Sequence, residues 1–347
     1  MPHPYFELND VDRRFHAERL EPYLPARIFD AHRHVTLPEH EGPEPPAISP
    51  PKFPEEIAGP ETIEQARAGY AWLLPGREVE FLAFGSPRTR GLHEESNRYL
   101  SAGLAGTRSV ALALSPPTWS ADKLLEQLRL PGIIGIKPYE RLMPDWAGGD
   151  VSTFDFLPHE HLELLDELGA WLTLHVPRAE RLADPANIAE VLEIRRRYPN
   201  IALVIAHLGR SYSGYYAREG FPALAEDPGV LFDTSAVLNP AVLALALDRF
   251  GPERLLFATD QPVFYMRGRR TWQGRRYINL TSGGYSWNTD RQPPEVEAGY
   301  TLSVYEMIAA LLDTIRALGY EQETVRAIFH DNARGLVDRV LAAKERW

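Results

Sequence analysis

The stretch Ile28-Phe29-Asp30-Ala31-His32-Arg33-His34 is a short apolar run that ends in two histidines separated by one residue. Such a run is typical of a buried β-strand. Alternate side chains of a strand point to the same side, so the pattern predicts that His32 and His34 face one way and Arg33 the other. Two imidazoles at the end of one strand form half of a metal site. We therefore expect further ligands at the ends of other strands, and Arg33 away from the site.

Composition limits the function classes that are open to this chain. Of its 347 residues 44% are hydrophobic, enough for a sizeable core. Cysteine is absent, so only histidine and carboxylate side chains are left to hold a metal. The formal net charge of -11 argues against binding to a nucleic-acid backbone. The N-terminal residues do not resemble a signal peptide, and no apolar window of about 18 residues predicts a membrane span. We expect a cytoplasmic protein, with assembly into a homo-oligomer left open.

Apolar strand-like runs alternate with amphipathic helical patterns along most of the chain, which indicates a parallel sheet. Eight such units predict an α/β fold of the (β/α)8 TIM-barrel type, as one domain over 1–347 with its core at about 27–340. A doubly wound open sheet is the alternative, but the first strand is not followed by a glycine-rich dinucleotide fingerprint. The predicted strands are 27–32, 79–84, 109–114, 132–137, 170–175, 201–206, 230–233 and 254–259. The predicted helices are about 61–74, 93–104, 121–129, 159–169, 187–198, 240–249, 302–318, 322–329 and 332–345.

Polar residues that can carry chemistry stand at the ends of these predicted strands. In a barrel the carboxyl ends of the strands meet on one face, where catalytic groups collect. Each residue also has a structural interpretation: a buried core histidine, a barrel-end lysine, a helix cap or a turn residue. Taken together, the set favours a site, and we expect the other histidines at the surface. The strand-end residues are His32, His34, Lys137, His175, His207, Asp233 and Asp260.

Four stretches carry a resemblance to a known family. They are 28–34, Val204-Ile205-Ala206-His207-Leu208-Gly209, the run 254–262 and Asp331-Asn332-Ala333-Arg334-Gly335-Leu336. With the histidine of strand five, they resemble the amidohydrolase superfamily, and more narrowly the amidohydrolase-related branch. That branch contains aminocarboxymuconate-semialdehyde decarboxylase, resorcylate decarboxylases, hydratases and lactonases. Thr259-Asp260-Gln261-Pro262 departs from the commoner Ser-Asp-Tyr/Trp-Pro pattern of the branch.

The resemblance implies one divalent metal, with zinc expected and manganese or another ion as alternatives. Its ligands would be His32, His34, His175 and Asp260. His207 would act as acid or base near the metal's water, and Asp260 could accept a proton as well. Lys137 is not assigned as a bridging ligand, because the usual site of this branch holds one metal.

Three functions remain open from the sequence. The first is a metal-dependent hydrolase acting on an ester, lactone or amide of a small, carboxylate-bearing molecule, since a divalent metal lowers the pKa of bound water towards about 7. The second is a non-oxidative decarboxylase of a small aromatic or unsaturated acid. The third is a catalytically inactive binding barrel. An anionic substrate could be oriented by Lys137, Tyr139, Arg141 and Arg210, although ion pairing at the barrel rim explains these cations equally well.

Two loops have no counterpart in the family pattern. Residues 38–54 are rich in proline and are predicted to form a loop. The insertion at about 264–300 interleaves arginines with aromatic residues. Such a composition can bind nucleic acid. The acidic net charge and the position after strand eight favour a lid, an anion-binding edge or a subunit contact instead.

Overall fold

Eight parallel strands follow one another around a barrel in sequence order, β1 to β8. The structure, a computed structural model, describes residues 3–42, 52–87 and 91–347. Sequential parallel pairing confirms the (β/α)8 prediction and excludes the open doubly wound sheet, whose strand order is not sequential. The strands are β1 (Arg27–His34), β2 (Glu78–Phe84), β3 (Val110–Leu114), β4 (Ile133–Lys137), β5 (Trp171–Leu174), β6 (Ala202–Ile205), β7 (Leu231–Asp233) and β8 (Leu255–Leu256).

The barrel closes between β1 and the chain that follows β8. The N–H of Ala31 donates to the carbonyl of Phe257, the N–H of Asp260 to that of His32, and the N–H of His34 to that of Gln261, each at 2.9 Å. β8 is shorter than the predicted strand 254–259, because the N–H of Phe257 bonds to the carbonyl of Ile328 and that of Thr259 to the carboxylate of Asp30, rather than to a neighbouring strand. This closure places Asp260 directly beside the two histidines of β1.

Helices lie between the strands, and capping side chains fix several of their starts. Asp184 accepts hydrogen bonds from the N–H groups of Ala186 and Asn187, so the helix there begins at Pro185, two residues before the predicted start. The longer helices are Ile63–Leu73, His93–Leu104, Ala121–Leu128, His159–Leu168, Pro185–Arg197, Gly214–Ala225, Pro240–Phe250, Ser303–Ala317 and Asn332–Lys344. The shorter ones are Asp10–Phe15, Lys52–Ile57, Thr153–Phe156, Pro294–Glu297 and Gln322–Arg326.

Two large groups of apolar side chains form most of the core, as strand alternation requires. One group fills the barrel and includes Phe29, Leu82 and Trp171 together with Val337 of the last helix. The other lies between the strands and the surrounding helices. Gly135 on β4 is needed for this packing, because a Cβ there would lie 1.8 Å from the carbonyl oxygen of Trp171.

The insertion after β8 contains an antiparallel hairpin, β9 (Gly268–Gln273) and β10 (Arg276–Thr281). The hairpin was not predicted from the sequence. Of the proline-rich loop, residues 43–51 lie outside the described part; its flanks form a 3-10 turn at Pro38–His40 and the helix Lys52–Ile57. No helix among the described residues is both long and apolar enough to span a bilayer.

The expectation that the other histidines lie at the surface is wrong for five of them. Each of the five is at least nine-tenths buried, and most have a polar partner that compensates for the lost water. His161 Nε2 contacts the carbonyl of Trp119 at 2.7 Å, and His330 Nδ1 contacts Asp331 at 2.8 Å. The buried five are His3, His16, His40, His161 and His330.

Candidate active site

His32, His34 and Asp260 meet at the carboxyl end of the barrel. The Nε2 atoms of His32 and His34 lie 3.3 and 3.4 Å from the same oxygen, Oδ1 of Asp260. The strand alternation of β1 puts both imidazoles on one side, as predicted, and Asp260 takes a left-handed backbone conformation (φ 58°) immediately after the barrel closes. The three side chains offer ligand atoms within 4.8 Å of one another, which is a spacing that one metal ion can bridge.

The other ring nitrogens of the two histidines are held by the protein. Nδ1 of His32 lies 2.8 Å from Oδ2 of Asp233, and Nδ1 of His34 lies 3.2 Å from the carbonyl oxygen of Gly85. A carbonyl accepts but does not donate, so His34 carries its proton on Nδ1 and presents Nε2 as a lone pair. Metal-binding histidines typically use one nitrogen in this way and leave the other for the ion.

Asp233, at the end of β7, organises two histidines at once. Burial pushes the pKa of Asp233 up, but the attraction of His32 and the hydrogen bond from its ring outweigh burial and hold the pKa at about 2. The carboxylate is therefore ionised and accepts the Nδ1 proton of His32. Its Oδ1 accepts from the N–H of His207 at 2.8 Å and from the N–H and Oγ–H of Ser235 at 3.1 and 2.5 Å.

These bonds also fix the tautomer of His207. The single hydroxyl proton of Ser235 is donated to Asp233, so Oγ can only accept from Nδ1 of His207, which lies 2.8 Å away. Nε2 of His207 is therefore the basic nitrogen. Burial lowers the pKa of His207 to about 4, so its ring is neutral at pH 7. Its centroid lies 4.6 Å from the ring of His32.

A left-handed turn aims His207 at this point. His207, Leu208 and Arg210 have φ values of 56°, 49° and 60°, and the glycine between them has 67°. Each non-glycine residue in this region costs roughly 1–2 kcal/mol, so the turn persists only where its surroundings impose it. Nη1 of Arg210 imposes part of it by donating to the carbonyls of Val176, Pro177 and Arg178 at 3.0–3.1 Å.

His175 lies next to His207 in the cavity. Its ring is nearly perpendicular to that of His207, with centroids 5.5 Å apart. Burial, reinforced by the positive charge of Arg210, holds the pKa of His175 well below its usual range, and its buried Nδ1 has no hydrogen-bond partner in the described structure. The structure thus brings His175 into the same cavity, but outside the two groups of ligand atoms that lie within 4.8 Å, namely His32, His34, Asp260 and His32, His207, Asp233.

The predicted substrate-binding residues all line the cavity, but they differ in their burial and in their contacts. Lys137 is fully buried, and its Nζ has no hydrogen-bond partner among the described residues; it lies 5.0 Å from the ring centroid of Tyr139 and 5.5 Å from that of Phe84. Burial lowers the pKa of Lys137 to about 8. The hydroxyl of Tyr139 is likewise buried without a partner. Arg141 stacks over Trp146 at 5.6 Å, whereas Arg210 is engaged by backbone carbonyls.

The cavity has a volume of about 430 Å³ and is more cationic than the sequence prediction suggested. Its aromatic wall comes partly from Phe264 and from Tyr277 of the hairpin. The sequence reasoning missed the roles of Asp233 and Ser235 and the cations Arg181 and Arg270. Asp233 was predicted to stand at a strand end, but the only role suggested for it was that of a cap. Arg270 belongs to the arginines that the sequence interleaves with aromatic residues after strand eight, but its burial depends on the register of the hairpin.

The donor set fits a divalent cation. Burial raises the pKa of Asp260, but the facing rings of His207, His32 and His34 outweigh burial and hold that pKa well below its usual range. The Nε2 atoms of His32 and His34 converge on one oxygen of this carboxylate, and as neutral imidazoles they offer nitrogen lone pairs to an ion there. The buried, unpartnered Nδ1 of His175 is a further nitrogen available at the same cavity. Arg33 lies outside this set, as predicted: its Nη2 donates to Glu61 at 2.5 Å and to Tyr265 at 2.8 Å.

Similarity to known proteins agrees with this geometry. No curated protein matches the chain. Among solved structures, 2,6-dihydroxybenzoate decarboxylase complexed with 2,6-dihydroxybenzoate aligns with a TM-score of 0.57 and 15% identity, over 90% of this chain and 100% of that one. A probable 2-pyrone-4,6-dicarboxylic acid hydrolase from Acinetobacter baumannii with citric acid bound aligns at 0.56 and 13%, over 90% and 99%. The 5-carboxyvanillate decarboxylase of Sphingomonas paucimobilis aligns at 0.53 and 15%, also over 90% and 99%.

These likenesses, all below 25% identity, establish the shared barrel rather than a reaction. The sequence itself is more specific, because the model of the family described as amidohydrolase matches residues 29–339, which include every candidate ligand. The chain therefore belongs to the amidohydrolase family.

Proposed function

We propose that this protein is a metal-dependent hydrolase that cleaves an ester, lactone or amide bond of a small anionic molecule. The observation that carries the proposal is the convergence of the Nε2 atoms of His32 and His34 on one oxygen of Asp260. His175 would complete the ligand set, and zinc is the expected ion. A divalent cation held there lowers the pKa of water and polarises a carbonyl group.

His207 would serve as the general base of this reaction. Its Nε2 carries no proton, because Nδ1 donates to Ser235, and burial keeps the ring neutral at pH 7. It can therefore take a proton from a nucleophilic water and return it to the leaving group, which requires a group that is unprotonated at rest. Asp260 is the second candidate for accepting a proton.

Lys137 would orient the anionic part of the substrate. A buried ammonium group without a hydrogen-bond partner is costly to the folded protein, and a carboxylate entering the cavity would supply the missing charge-assisted bond. The neighbouring hydroxyl of Tyr139 is also unpartnered and can donate to the same group.

A non-oxidative decarboxylase is the second candidate. The same ligands together with Lys137 would anchor a substrate carboxylate, and decarboxylases are among the proteins with the same fold. Release of carbon dioxide distinguishes this reaction from hydrolysis, because only decarboxylation produces it. An inactive binding barrel is disfavoured by the strained turn that aims His207 at the ligands.

The test is an assay of zinc-loaded protein against lactones, esters and amides of small acids, with product acids and carbon dioxide measured in parallel. We expect acid release without carbon dioxide, abolished by chelation and restored by metal. His207→Gln should remove activity while zinc content stays at the wild-type level, and His159→Gln, on an outer helix, is the matched control. Release of carbon dioxide without hydrolysis would show that the protein is a decarboxylase and would refute the hydrolase proposal. Full activity after complete removal of the metal would refute both reactions.

A further inference from the structure

The β9–β10 hairpin brings a buried arginine into the cavity wall. Arg270 is 6% exposed, whereas the preceding residue, Arg269, points outwards and is exposed. Nε of Arg270 donates to Asn279 on β10 at 2.8 Å, and Nη1 donates to the carbonyl of Ala236 at 2.7 Å. The guanidinium therefore has a fixed position between the hairpin and the loop that follows β7.

A second arginine lies in the same part of the cavity. Arg181 stacks over Tyr212 at 5.0 Å and lies 6.0 Å from the ring of Tyr277, and Arg270 lies 4.1 Å from that same Tyr277 ring. Arg181 has a left-handed backbone (φ 56°), a strained conformation for arginine that here directs its side chain onto the aromatic wall. The two guanidiniums thus share one aromatic platform.

No described carboxylate forms an ion pair with either arginine. Burial lowers the pKa of Arg270 and the neighbouring charge of Arg181 adds to this, while Tyr277, Tyr212 and Asp260 offset only part of it. Buried charges are usually paired, so an uncompensated pair of guanidiniums facing a cavity is an arrangement for an anion from outside. The flat guanidinium groups can bind a carboxylate or a phosphate through two parallel hydrogen bonds.

The ring of Tyr212 contacts both arginines and also His207. Its centroid lies 6.1 Å from that of His207 and 5.4 Å from that of Tyr277. The cavity lining thus carries two cationic groups, Lys137 at the candidate metal site and the arginine pair beside Tyr212 and Tyr277, which we call its two ends. A substrate with a single anionic group would leave one of the two ends uncompensated.

We propose that Arg270 and Arg181 form a distal anion subsite, so that the cavity selects small molecules with two anionic groups, one at each end. This inference rests on the proposed function, which places the first anionic group at Lys137. The observations on the arginine pair do not depend on which reaction takes place. The tip of the hairpin is anchored over the cavity edge, since Arg275 donates to Glu180 at 3.0 Å and to the hydroxyl of Tyr215 at 2.6 Å. The subsite is thereby held in place before a ligand arrives.

The experiment measures binding of benzoate, isophthalate and terephthalate to the zinc-loaded full-length protein by calorimetry. We expect whichever of isophthalate and terephthalate binds more tightly to bind at least tenfold more tightly than benzoate, because only a dianion makes a second charge-assisted bond. Arg270→Gln should reduce dianion affinity by about tenfold or more and weaken benzoate binding by a smaller factor, so that the preference for the dianion falls. Arg270→Lys should keep part of the preference, since it keeps the charge and loses the bonds that fix the hairpin.

Arg269→Gln is the matched control and should behave as wild type, because this side chain lies on the outer face of the same strand. Equal affinity of the wild type for benzoate and both dianions, including no detectable binding of any of them, would overturn the subsite. Equal loss of benzoate and dianion binding in Arg270→Gln would also overturn it, because it would show a purely structural role. If Arg270-dependent dianion preference is found without any hydrolysis, only the proposed reaction fails.

Discussion

Replacing Asp233 by asparagine should weaken metal binding although Asp233 is not one of the proposed ligands. The asparagine oxygen must stay at the Oδ1 position, because the N–H groups of His207 and Ser235 and the hydroxyl of Ser235 all donate there. The amide NH2 then faces Nδ1 of His32, where the carboxylate accepted a proton at 2.8 Å. His32 has to move its proton to Nε2, the nitrogen that points at Asp260, and so loses the lone pair for the metal.

Loss of such an outer hydrogen bond to a ligating histidine typically costs 10–100-fold in metal affinity, which corresponds to about 1.4–2.8 kcal/mol. The assay is competition for zinc with a chromophoric chelator, with folding checked by circular dichroism. Ser235→Ala is the matched control: it frees Nδ1 of His207 but leaves the Asp233–His32 bond intact, so zinc affinity should stay within about twofold. A folded Asp233→Asn protein with wild-type zinc affinity would refute the assignment of His32 Nε2 as a ligand.

Three further substitutions test other parts of the site. The pKa of Lys137 in the folded protein, about 8, lies below its value in the unfolded chain. The charged lysine therefore lowers the free energy of unfolding by its full amount below pH 8, and this loss of stability fades as pH rises from about 8 to about 10.4. Lys137→Met should therefore raise stability at pH 7, by on the order of 2–3 kcal/mol in chemical denaturation, and weaken binding of carboxylates. In the wild type, carboxylate binding should weaken as pH rises through about 8; pH-independent binding would argue against contact with Lys137. His207→Gln should lower kcat at least about 100-fold with little change in zinc affinity, and reduced zinc content would make His207 a ligand rather than a base. Arg33→Met leaves Glu61 buried without the guanidinium and should destabilise the fold by about 3–5 kcal/mol, while the zinc bound per folded molecule is unchanged.

Most of the barrel could be predicted from sequence patterns, because the apolar or polar character of each strand reflects how far that strand is buried. A strand covered on both faces is apolar at nearly every position, and that signal needs no knowledge of its neighbours. The pattern misjudged β8, whose predicted run 254–259 forms only two residues of strand. Thr259 bonds to Asp30, which is 229 positions away in the chain, and a local pattern cannot register that competition.

The hairpin was hidden for a different reason. Its strands are mostly polar, and their partners are each other and the cavity rim rather than the core, so hydrophobic periodicity is weak. Arginines alternating with aromatic residues were visible in the sequence. Which of them are buried depends on the register Arg270–Asn279 and on where the hairpin lies against the barrel. The single-domain boundaries, the cytoplasmic location and the state of assembly stay predictions.

The sequence by itself determined which side chains stand at the carboxyl ends of the strands, because strand alternation and barrel topology fix that placement. The sequence was therefore enough to predict that His32, His34 and Asp260 lie together and that Arg33 lies outside the candidate site. Only the tertiary structure decided which nitrogen of each histidine is free. That choice depends on acceptors far away in the chain, above all on Asp233, which is 201 residues from His32. A proton can lie on only one of two ring nitrogens in a neutral imidazole, and the folded hydrogen-bond network selects it.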